Sequence, residues 1–355
     1  MNIKNLGLSP ETESHITQEE LQNFTVGRVT QQHKERYIVS DGESEFPAEI
    51  TGNLRYSAVE ASDLPAVGDW VLMNVFSDDL AIINKVLPRN TILERQATGK
   101  HGEKQVIAAN IDVALIVQSI DNNFNINRLE RYLAICHSAG ISPVFIISKI
   151  DKADEESLHH ALRTLKERNI HIPVITLSNV TREGYDRVYS LLVKGQTYCV
   201  LGSSGVGKST LINNLAGREI LLTGEISDST NKGKHITSSR QLIVLENGAI
   251  LIDTPGMREL GITDDIEGVT ATFEEITSLS LDCKFPDCTH TDEAGCAVTE
   301  AVSKGDISSE TLRNFKKMIR EQQRFTKSVA EKRKKDKEFE KMCKTIMQEK
   351  KKNKF

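Results

Sequence analysis

The octapeptide Gly202-Ser203-Ser204-Gly205-Val206-Gly207-Lys208-Ser209 constrains the fold more than any other stretch of this chain. Its spacing, glycine, four residues and then Gly-Lys-Ser, is that of a phosphate-binding loop. The apolar run Tyr198 to Leu201 leads in, and Thr210-Leu211-Ile212-Asn213-Asn214-Leu215 leads out in a helical pattern. Glycines let successive N–H groups turn around phosphate oxygens, and the helix N-terminus adds positive potential. In such a loop the lysine, Lys208, reaches the β- and γ-phosphates, and the Ser209 hydroxyl is a ligand for Mg²⁺. Gly202 through Thr210 are thus nucleotide-binding candidates: Gly202, Ser203, Ser204, Gly205, Val206, Gly207, Lys208, Ser209 and Thr210. Lys208 is a catalytic candidate as well.

The surrounding residues set the fold class. Ile111 to Val117, Pro143 to Ile147, Pro173 to Leu177 and Tyr198 to Leu201 read as buried strands, and Ile126 to Ser138 and Glu155 to Arg168 as helices. This βαβ rhythm predicts a mainly parallel sheet with helices on both faces. Leu242 to Leu245 and Ala249 to Ile252 flank Glu246-Asn247-Gly248, a hairpin signal, so one antiparallel strand joins the sheet. Upstream, Gly27 to Val29, Tyr37 to Val39, Trp70 to Met73 and Ala81 to Ile83 are short β-like runs separated by turn formers, which suggests a small barrel. Trp70 reads as core rather than as a base-stacking surface. Residues 1 to 22 read as a loose leader and 96 to 106 as a linker.

Two further elements bear on the nucleotide. The strand ending at Ile252 runs into Asp253-Thr254-Pro255-Gly256, where the Asp253 carboxylate can hold Mg²⁺ through water and the Gly256 N–H can approach a γ-phosphate. The strand Val144 to Ile147 ends in Ser148-Lys149-Ile150-Asp151. A carboxylate at that strand end can accept from both N1–H and the 2-amino group of guanine, a pattern adenine does not offer, while the Lys149 stem packs over the base. Ser178-Asn179, after Ile175 to Leu177, ends another strand where a loop reaches guanine O6.

With these residues in place, a family resemblance becomes plain. The elements resemble the five sequence motifs of small GTPases, with the fourth and fifth placed before the first three. That order is similar to the circularly permuted small-ribosomal-subunit biogenesis GTPases, the RsgA/YjeQ family. Val67-Gly68-Asp69-Trp70-Val71, Ala108-Ala109-Asn110-Ile111-Asp112, Leu129-Glu130-Arg131-Tyr132-Leu133, Gly233-Lys234-His235-Ile236-Thr237 and Asp253 to Leu260 carry the likeness over roughly residues 24 to 325. The resemblance implies an α/β P-loop GTPase domain, circularly permuted, with an N-terminal OB-type β-barrel and a C-terminal α-helical zinc-binding domain. It implies GTP as substrate, Mg²⁺, one structural Zn²⁺, the 30S subunit and its 16S rRNA as partners, and late small-subunit assembly as the setting. The expected divisions are a leader to residue 22, the barrel over 23–97, the GTPase domain over 107–264, the zinc domain over 265–325 and a basic tail over 326–355.

Three positions depart from the family pattern. Ser148 stands where Asn is usual; Asn fastens this loop to the P-loop, so weaker guanine affinity is expected. Asn179 stands where Ala is usual, and Ile236 replaces a Thr, which leaves Thr237 as the second hydroxyl ligand of Mg²⁺. Met257 occupies the place of a water-orienting Gln and can neither donate nor accept effectively. Slow intrinsic hydrolysis follows, and His235 in the presumed switch I loop is the nearest replacement, against the plainer reading of an exposed loop histidine.

Cysteines and charge complete the reading. Cys283, Cys288 and Cys296 fall within fourteen residues with His290 among them, three thiolates and an imidazole that close a tetrahedral zinc shell. A closed shell leaves no position for water, so the site reads as structural, and the short loop-rich segment is expected to unfold without metal. Cys136 and Cys199 sit in apolar runs and read as inert core thiols. Residues 313–355 hold 17 basic and 6 acidic side chains, a local excess of +11 against -5 for the whole chain. Such a block either forms an extended tail that attracts polyanions such as RNA or a solvated helix that keeps the protein soluble. No apolar run is long enough to span a membrane and the N-terminus lacks a signal-like apolar block, so a cytoplasmic monomer with no membrane partner is expected. Besides the ribosome-stimulated GTPase, two readings stand: an RNA-binding switch in which occupancy by GTP alone matters, and an ATP-using enzyme, against which Asp151 argues.

Overall fold

The computed structural model describes residues 3–33, 36–58, 60–96, 104–121, 124–221, 240–254 and 266–352. Helices α1 (Pro10–Ser14) and α2 (Gln18–Asn23) open the chain, N-capped by Ser9 and Thr17, whose hydroxyls accept from the Thr12 and Glu20 N–H groups. The segment expected to be a loose leader is docked: Leu6 and Ile16 bury their side chains with Trp70, Leu72 and Leu87. Ile3 and Leu8 pack against the same cluster, and Glu20 pairs with Lys85 of β5 at 2.7 Å.

Strands β1 (Thr25–His33), β2 (Arg36–Ser40) and β3 (Glu45–Ile50), helix α3 (Gly52–Ser57), and strands β4 (Trp70–Ser77) and β5 (Leu80–Val86) form the barrel. Pairing runs β1-β2-β3-β5-β4 and closes from β4 back to β1, with β3 and β5 parallel and the other pairs antiparallel. Val29, Val39, Phe46, Val71, Met73 and Ile83 fill it. Strand β3 escapes the sequence reading because Pro47 interrupts its pattern. Trp70 is core, as expected, only 1% exposed and with the Arg28 guanidinium 5.2 Å from its ring centre.

Strands β6 (Ile92–Gln96) and β7 (Lys104–Ala109) pair as a hairpin, so the ends of the expected linker are strand. Next come β8 (Val113–Ser119), α4 (Ile126–Ser138), β9 (Ser142–Ser148), α5 (Glu155–Glu167), β10 (Val174–Thr176), α6 (Tyr185–Leu191), β11 (Thr197–Leu201), α7 (Lys208–Ala216), β12 (Arg240–Val244) and β13 (Ile250–Asp253). The order is β10-β9-β8-β11-β13-β12, parallel except for β12. Leu129, Tyr132, Leu133 and Cys136 of α4 with Ala161 and Leu165 of α5 cover one face. Tyr185 and Val188 of α6 with Leu211, Ile212 and Leu215 of α7 cover the other. Each helix therefore buries one stripe, and the strands between them are apolar on both sides.

Two links between the units were not legible in the sequence. Strand β12 pairs antiparallel with β1, Gln241 opposite Gln31 and Arg240 opposite Gln32, so barrel and α/β domain share one eleven-stranded sheet. Arg28, 1% exposed, donates from Nε to the Gly68 carbonyl (3.1 Å), from Nη1 to Leu6 (2.5 Å) and from Nη2 to Asn110 (3.0 Å). One guanidinium thereby ties leader, barrel and α/β domain.

Helices α8 (Glu267–Thr272), α9 (Glu274–Ser280), α10 (Ala297–Lys304) and α11 (Ser309–Lys352) complete the chain. Val269, Phe273, Ile276, Val298, Ile307 and Met318 form their own core against Ala134 of α4. A polar latch holds α11 to the α/β domain. Arg168 donates to Glu130 (3.2 Å), Asn127 (3.0 Å) and Glu310 (3.2 Å), Asn314 donates to Glu130, and Arg131 grips Glu321 through both nitrogens at 2.6 and 2.7 Å. Helix α11 runs 44 residues, ~66 Å at 1.5 Å per residue. The basic segment is thus helical rather than extended; its Lys, Arg and Glu are strong helix formers.

Arg28→Met should take the guanidinium's bonds from the Leu6 and Asn110 carbonyls, and one of two from Gly68, which keeps Asn110 Nδ2 at 3.1 Å, while keeping much of the side-chain bulk. A loss of about 2 kcal/mol or more in urea unfolding is expected, at about 1–3 kcal/mol for each of the two groups left unpaired. A loss under about 1 kcal/mol would show that water replaces those bonds.

Candidate functional site

The phosphate-loop residues sit between the end of β11 and the first turn of α7. Gly202 has φ 146°, and a side chain there would press into the Val117 carbonyl of neighbouring β8. Gly207, φ 93°, is the N-cap of α7 and supplies no side-chain cap. The helix end is therefore left to capture an anion with its own N–H groups. Lys208 Nζ donates to the Ser203 carbonyl at 2.6 Å, and Arg128 of α4 donates to Ser203 Oγ at 3.0 Å. Ser204 and Gly205 are exposed on the outer turn, Val206 is buried, and Ser209 and Thr210 are half-buried on the first turn of α7.

Asp253 ends β13 and is 8% exposed. Burial pushes its carboxyl up to about 6, with the Lys208 charge opposing. Thr254 donates to the Val200 carbonyl (2.9 Å), which pins the exit of β13 to β11. Ser209 and Asp253 have the chemistry to hold a magnesium ion, one as a hydroxyl ligand and one through water. His235, Thr237 and Gly256, together with Met257, lie outside the described residues.

The base-reading candidates converge from the other side. Ser148, fully buried at the end of β9, donates from Oγ to the Val206 carbonyl at 2.7 Å, with the Gln118 carbonyl at 3.3 Å. Serine thus does fasten this loop to the phosphate loop, which removes the reason for expecting weaker affinity on that account. Lys149 is left-handed (φ 60°), and its Nζ meets Asp121 Oδ2 at 2.9 Å. Asp151 is exposed, with Oδ1 accepting from Ser178 Oγ at 2.5 Å. Ser178 Oγ in turn accepts from the Val180 and Thr181 N–H groups (3.2 and 3.1 Å). An ionised carboxylate carries about four acceptor sites, so one bond to Ser178 leaves capacity for two guanine N–H groups. Asn179 donates from Nδ2 to the Gly207 carbonyl at 3.0 Å. All described candidates therefore meet at the carboxyl ends of β8, β9, β10, β11 and β13, the place where open α/β sheets bind ligands.

Some 280–296 in the chain, the second candidate site is equally well assembled. The ligand atoms of Cys283, Cys288, His290 and Cys296 all lie within 4.8 Å of one another. His290 Nδ1 is 3.6 Å from Cys283 Sγ and 3.5 Å from Cys296 Sγ, and those two sulfurs are 3.8 Å apart. Sulfur–sulfur separations near twice the Zn–S bond projected onto a tetrahedron fit a zinc ion. Burial opposes ionisation of Cys296, yet the Thr299 contacts at the start of α10 and His290 bring its thiol down to about 6. Cys136, by contrast, is pushed up to about 12 by burial, an inert core thiol as expected.

Comparison with known proteins agrees with this geometry. A model of the RsgA GTPase family matches residues 86–263, and one of 50S ribosome-binding GTPases matches residues 197–352. The small ribosomal subunit biogenesis GTPase RsgA 2 of Lactiplantibacillus plantarum is 43% identical over 321 residues, 90% of this chain and 89% of its own. The chain belongs to the RsgA GTPase family. RsgA 1 of Bacteroides thetaiotaomicron is 37% identical over 91% of this chain and 90% of its own. Among solved structures, YjeQ from Thermotoga maritima is 26% identical with a TM-score of 0.63, covering 84% of this chain and 98% of that one. YloQ, a circularly permuted GTPase, shares the fold at 23% identity and a TM-score of 0.59, covering 84% and 95%. The protein is a GTP-hydrolysing enzyme with a circularly permuted P-loop domain, an N-terminal closed barrel and a C-terminal Cys3His cluster. Among the described residues, no helix is long and apolar enough to cross a membrane.

Several neighbours of the site were invisible to sequence reasoning. Arg128 touches the phosphate loop from α4, and Tyr185 and Asn214 hold Asn179: Tyr185 Oη donates to Asn179 Oδ1 and Asn214 Nδ2 donates to Tyr185 Oη, both at 2.7 Å. No spacing rule links a helix residue to a loop 75 positions away.

Asp151→Asn should weaken GDP and GTP binding about tenfold or more and shift preference toward xanthosine nucleotides, since the amide cannot accept from both guanine N–H groups. Unchanged affinity by fluorescent-nucleotide titration would remove Asp151 from the base site. Metal analysis should find one zinc per chain, lost in Cys288→Ser. Because α8 to α11 bury a core of their own, metal loss should loosen the 281–296 loop and lower the melting temperature without unfolding those helices. Unchanged melting of the zinc-free protein would sink the structural role.

Proposed function

We propose that this chain hydrolyses GTP to GDP and phosphate when the 30S subunit docks on it, and that it acts late in small-subunit assembly by binding 16S rRNA. The carrying observation is the Asp151 carboxylate, oriented by Ser178 and set beside a phosphate loop on the same sheet edge. Full-length relatives named for small-subunit biogenesis supply the partner. The 50S ribosome-binding model covers the P-loop half and the C-terminal helices, so the relatives that span nine-tenths of the chain weigh more.

In this reading Asp151, Ser178 and Lys149 read guanine, while Ser148 and Asn179 back the loops. The N–H groups of 202–210 and Lys208 hold the phosphates, and the Gly256 N–H approaches the γ-phosphate. Ser209 and Thr237 would ligate Mg²⁺, with Asp253 beyond a water; the ion supplies charge neutralisation on the phosphates when bound. Met257 cannot orient water, so His235 is assigned that task. Two residues separate Thr237 from β12, which is tied to barrel strand β1, and a partner on the barrel thus has a direct handle on this loop. Tyr56 and Phe76, 92% and 68% exposed on the barrel, offer aromatic faces to rRNA bases that buried Trp70 cannot. The basic helix α11 and the Cys3His domain are further candidate RNA contacts. A Mg²⁺-dependent, zinc-bearing cytoplasmic monomer is the working form.

The test is GTP turnover with and without purified 30S subunits. Strong stimulation is expected; turnover indifferent to the subunit favours an RNA-binding switch in which hydrolysis is idle. His235→Ala should keep its GTP affinity and 30S binding while stimulated turnover falls about a hundredfold, the scale of a lost general base or its equivalent. Full stimulation in that variant assigns water orientation to rRNA or another side chain.

A further inference from the structure

A phosphate loop works by presenting N–H groups, and each N–H is one edge of a peptide plane whose opposite edge is a carbonyl. In a trans peptide the two point in opposite directions, so whatever holds the carbonyl also aims the N–H. Val206 and Gly207 carry the carbonyls whose planes include the N–H groups of Gly207 and Lys208. Both carbonyls are gripped from behind by base-side loops: Val206 by Ser148 Oγ at 2.7 Å and Gly207 by Asn179 Nδ2 at 3.0 Å.

The second grip is specific to this chain's departure from the family pattern, since an alanine at 179 has no donor. It is also built rather than incidental. The Asn179 amide is oriented at its other end by Tyr185 Oη, which donates to Oδ1 at 2.7 Å. Asn214 of α7 donates to that same hydroxyl at 2.7 Å and faces the Asn179 carbonyl at 3.3 Å. Tyr185 is 4% exposed, so its hydroxyl works in a low-dielectric setting where such bonds are strong. The left-handed Gly207 leaves room for the contact: a side chain there would come within 2.5 Å of Asn179 Nδ2.

We propose that Asn179 is a positioning residue for the phosphates: held by Tyr185 and Asn214, it pins the Gly207–Lys208 peptide so that the Lys208 N–H is aimed into the loop before nucleotide arrives. This deepens the guanine-nucleotide reading of the site and rests on it. Asn179 then acts on the phosphate end although its place in the motif order belongs to the base end. Tyr185 contributes only through the orientation of Asn179, and the loss of both is no worse than the loss of Asn179 alone.

The test is a double-mutant cycle on the full chain, read by titration with fluorescent GDP and GTP, with Asp151→Asn as the control for the site itself. Asn179→Ala should weaken both nucleotides about tenfold, the scale of one well-formed hydrogen bond. Tyr185→Phe keeps the buried ring and should weaken them two- to threefold, and the double variant should match Asn179→Ala. Affinity of Asn179→Ala within twofold of the parent, or single losses that multiply in the double variant, overturns the proposal. If the parent fails to bind GDP, or Asp151→Asn binds as the parent does, the guanine site itself is misread and the tie falls with it.

Discussion

A loop that turns its N–H groups inward must turn its carbonyls outward, and those carbonyls need donors. The nucleotide end of this protein is organised around that requirement. Lys208 covers the Ser203 carbonyl, Ser148 the Val206 carbonyl and Asn179 the Gly207 carbonyl. The donors come from three separate chain segments, brought together because β8, β9, β10 and β11 run parallel in adjacent positions and release their loops at one edge. Parallel pairing makes every carboxyl end coincide, so the order of segments along the chain is free to rotate while the edge stays intact.

Rotation has a mechanical consequence. In this order the chain runs from β13 to α8, while β12, the next described element after α7, pairs with the barrel. Helix α7 and strand β13 are therefore each followed along the chain by an element packed on a neighbouring unit, β12 on the barrel and α8 in the C-terminal helices. Arg28 on one side, and the Glu130–Arg168–Asn314 and Arg131–Glu321 contacts on the other, keep those units from drifting. The buried charges among these, Arg28 and the Arg168–Glu130 pair, add little net stability but are costly to break singly, which makes them suited to fixing one arrangement.

The C-terminal unit divides its tasks. A small apolar core built from Val269, Phe273, Ile276, Val298 and Met318 holds the helices, and the Cys3His cluster gathers the loop between α9 and α10. The lone His290, at φ 57°, is turned into the cluster by a left-handed backbone that an ordinary loop would avoid. The basic excess of residues 313–355 lies largely on helix α11.

The rotated motif order came from the family resemblance; residue type and spacing alone determined the phosphate loop, the two carboxylates Asp151 and Asp253, the metal quartet and the βαβ layering. Each depends on local chemistry or on periodicity, which a sequence displays directly. The barrel's β3 was hidden by Pro47, and the docking of the leader by apolar residues, Ile3, Leu6, Leu8 and Ile16, scattered without a clear period. What only the tertiary structure decided are contacts between residues far apart in the chain: β1 with β12, Arg28 with three backbone carbonyls, Arg128 with Ser203, and Asn179 with Tyr185, Asn214 and Gly207. Hydrogen bonds of that kind are set by where a side chain ends up relative to a backbone group, and backbone carbonyls are the same at every position of a sequence. A donor can be read from the letters; which carbonyl it will face is decided only when the strands have packed.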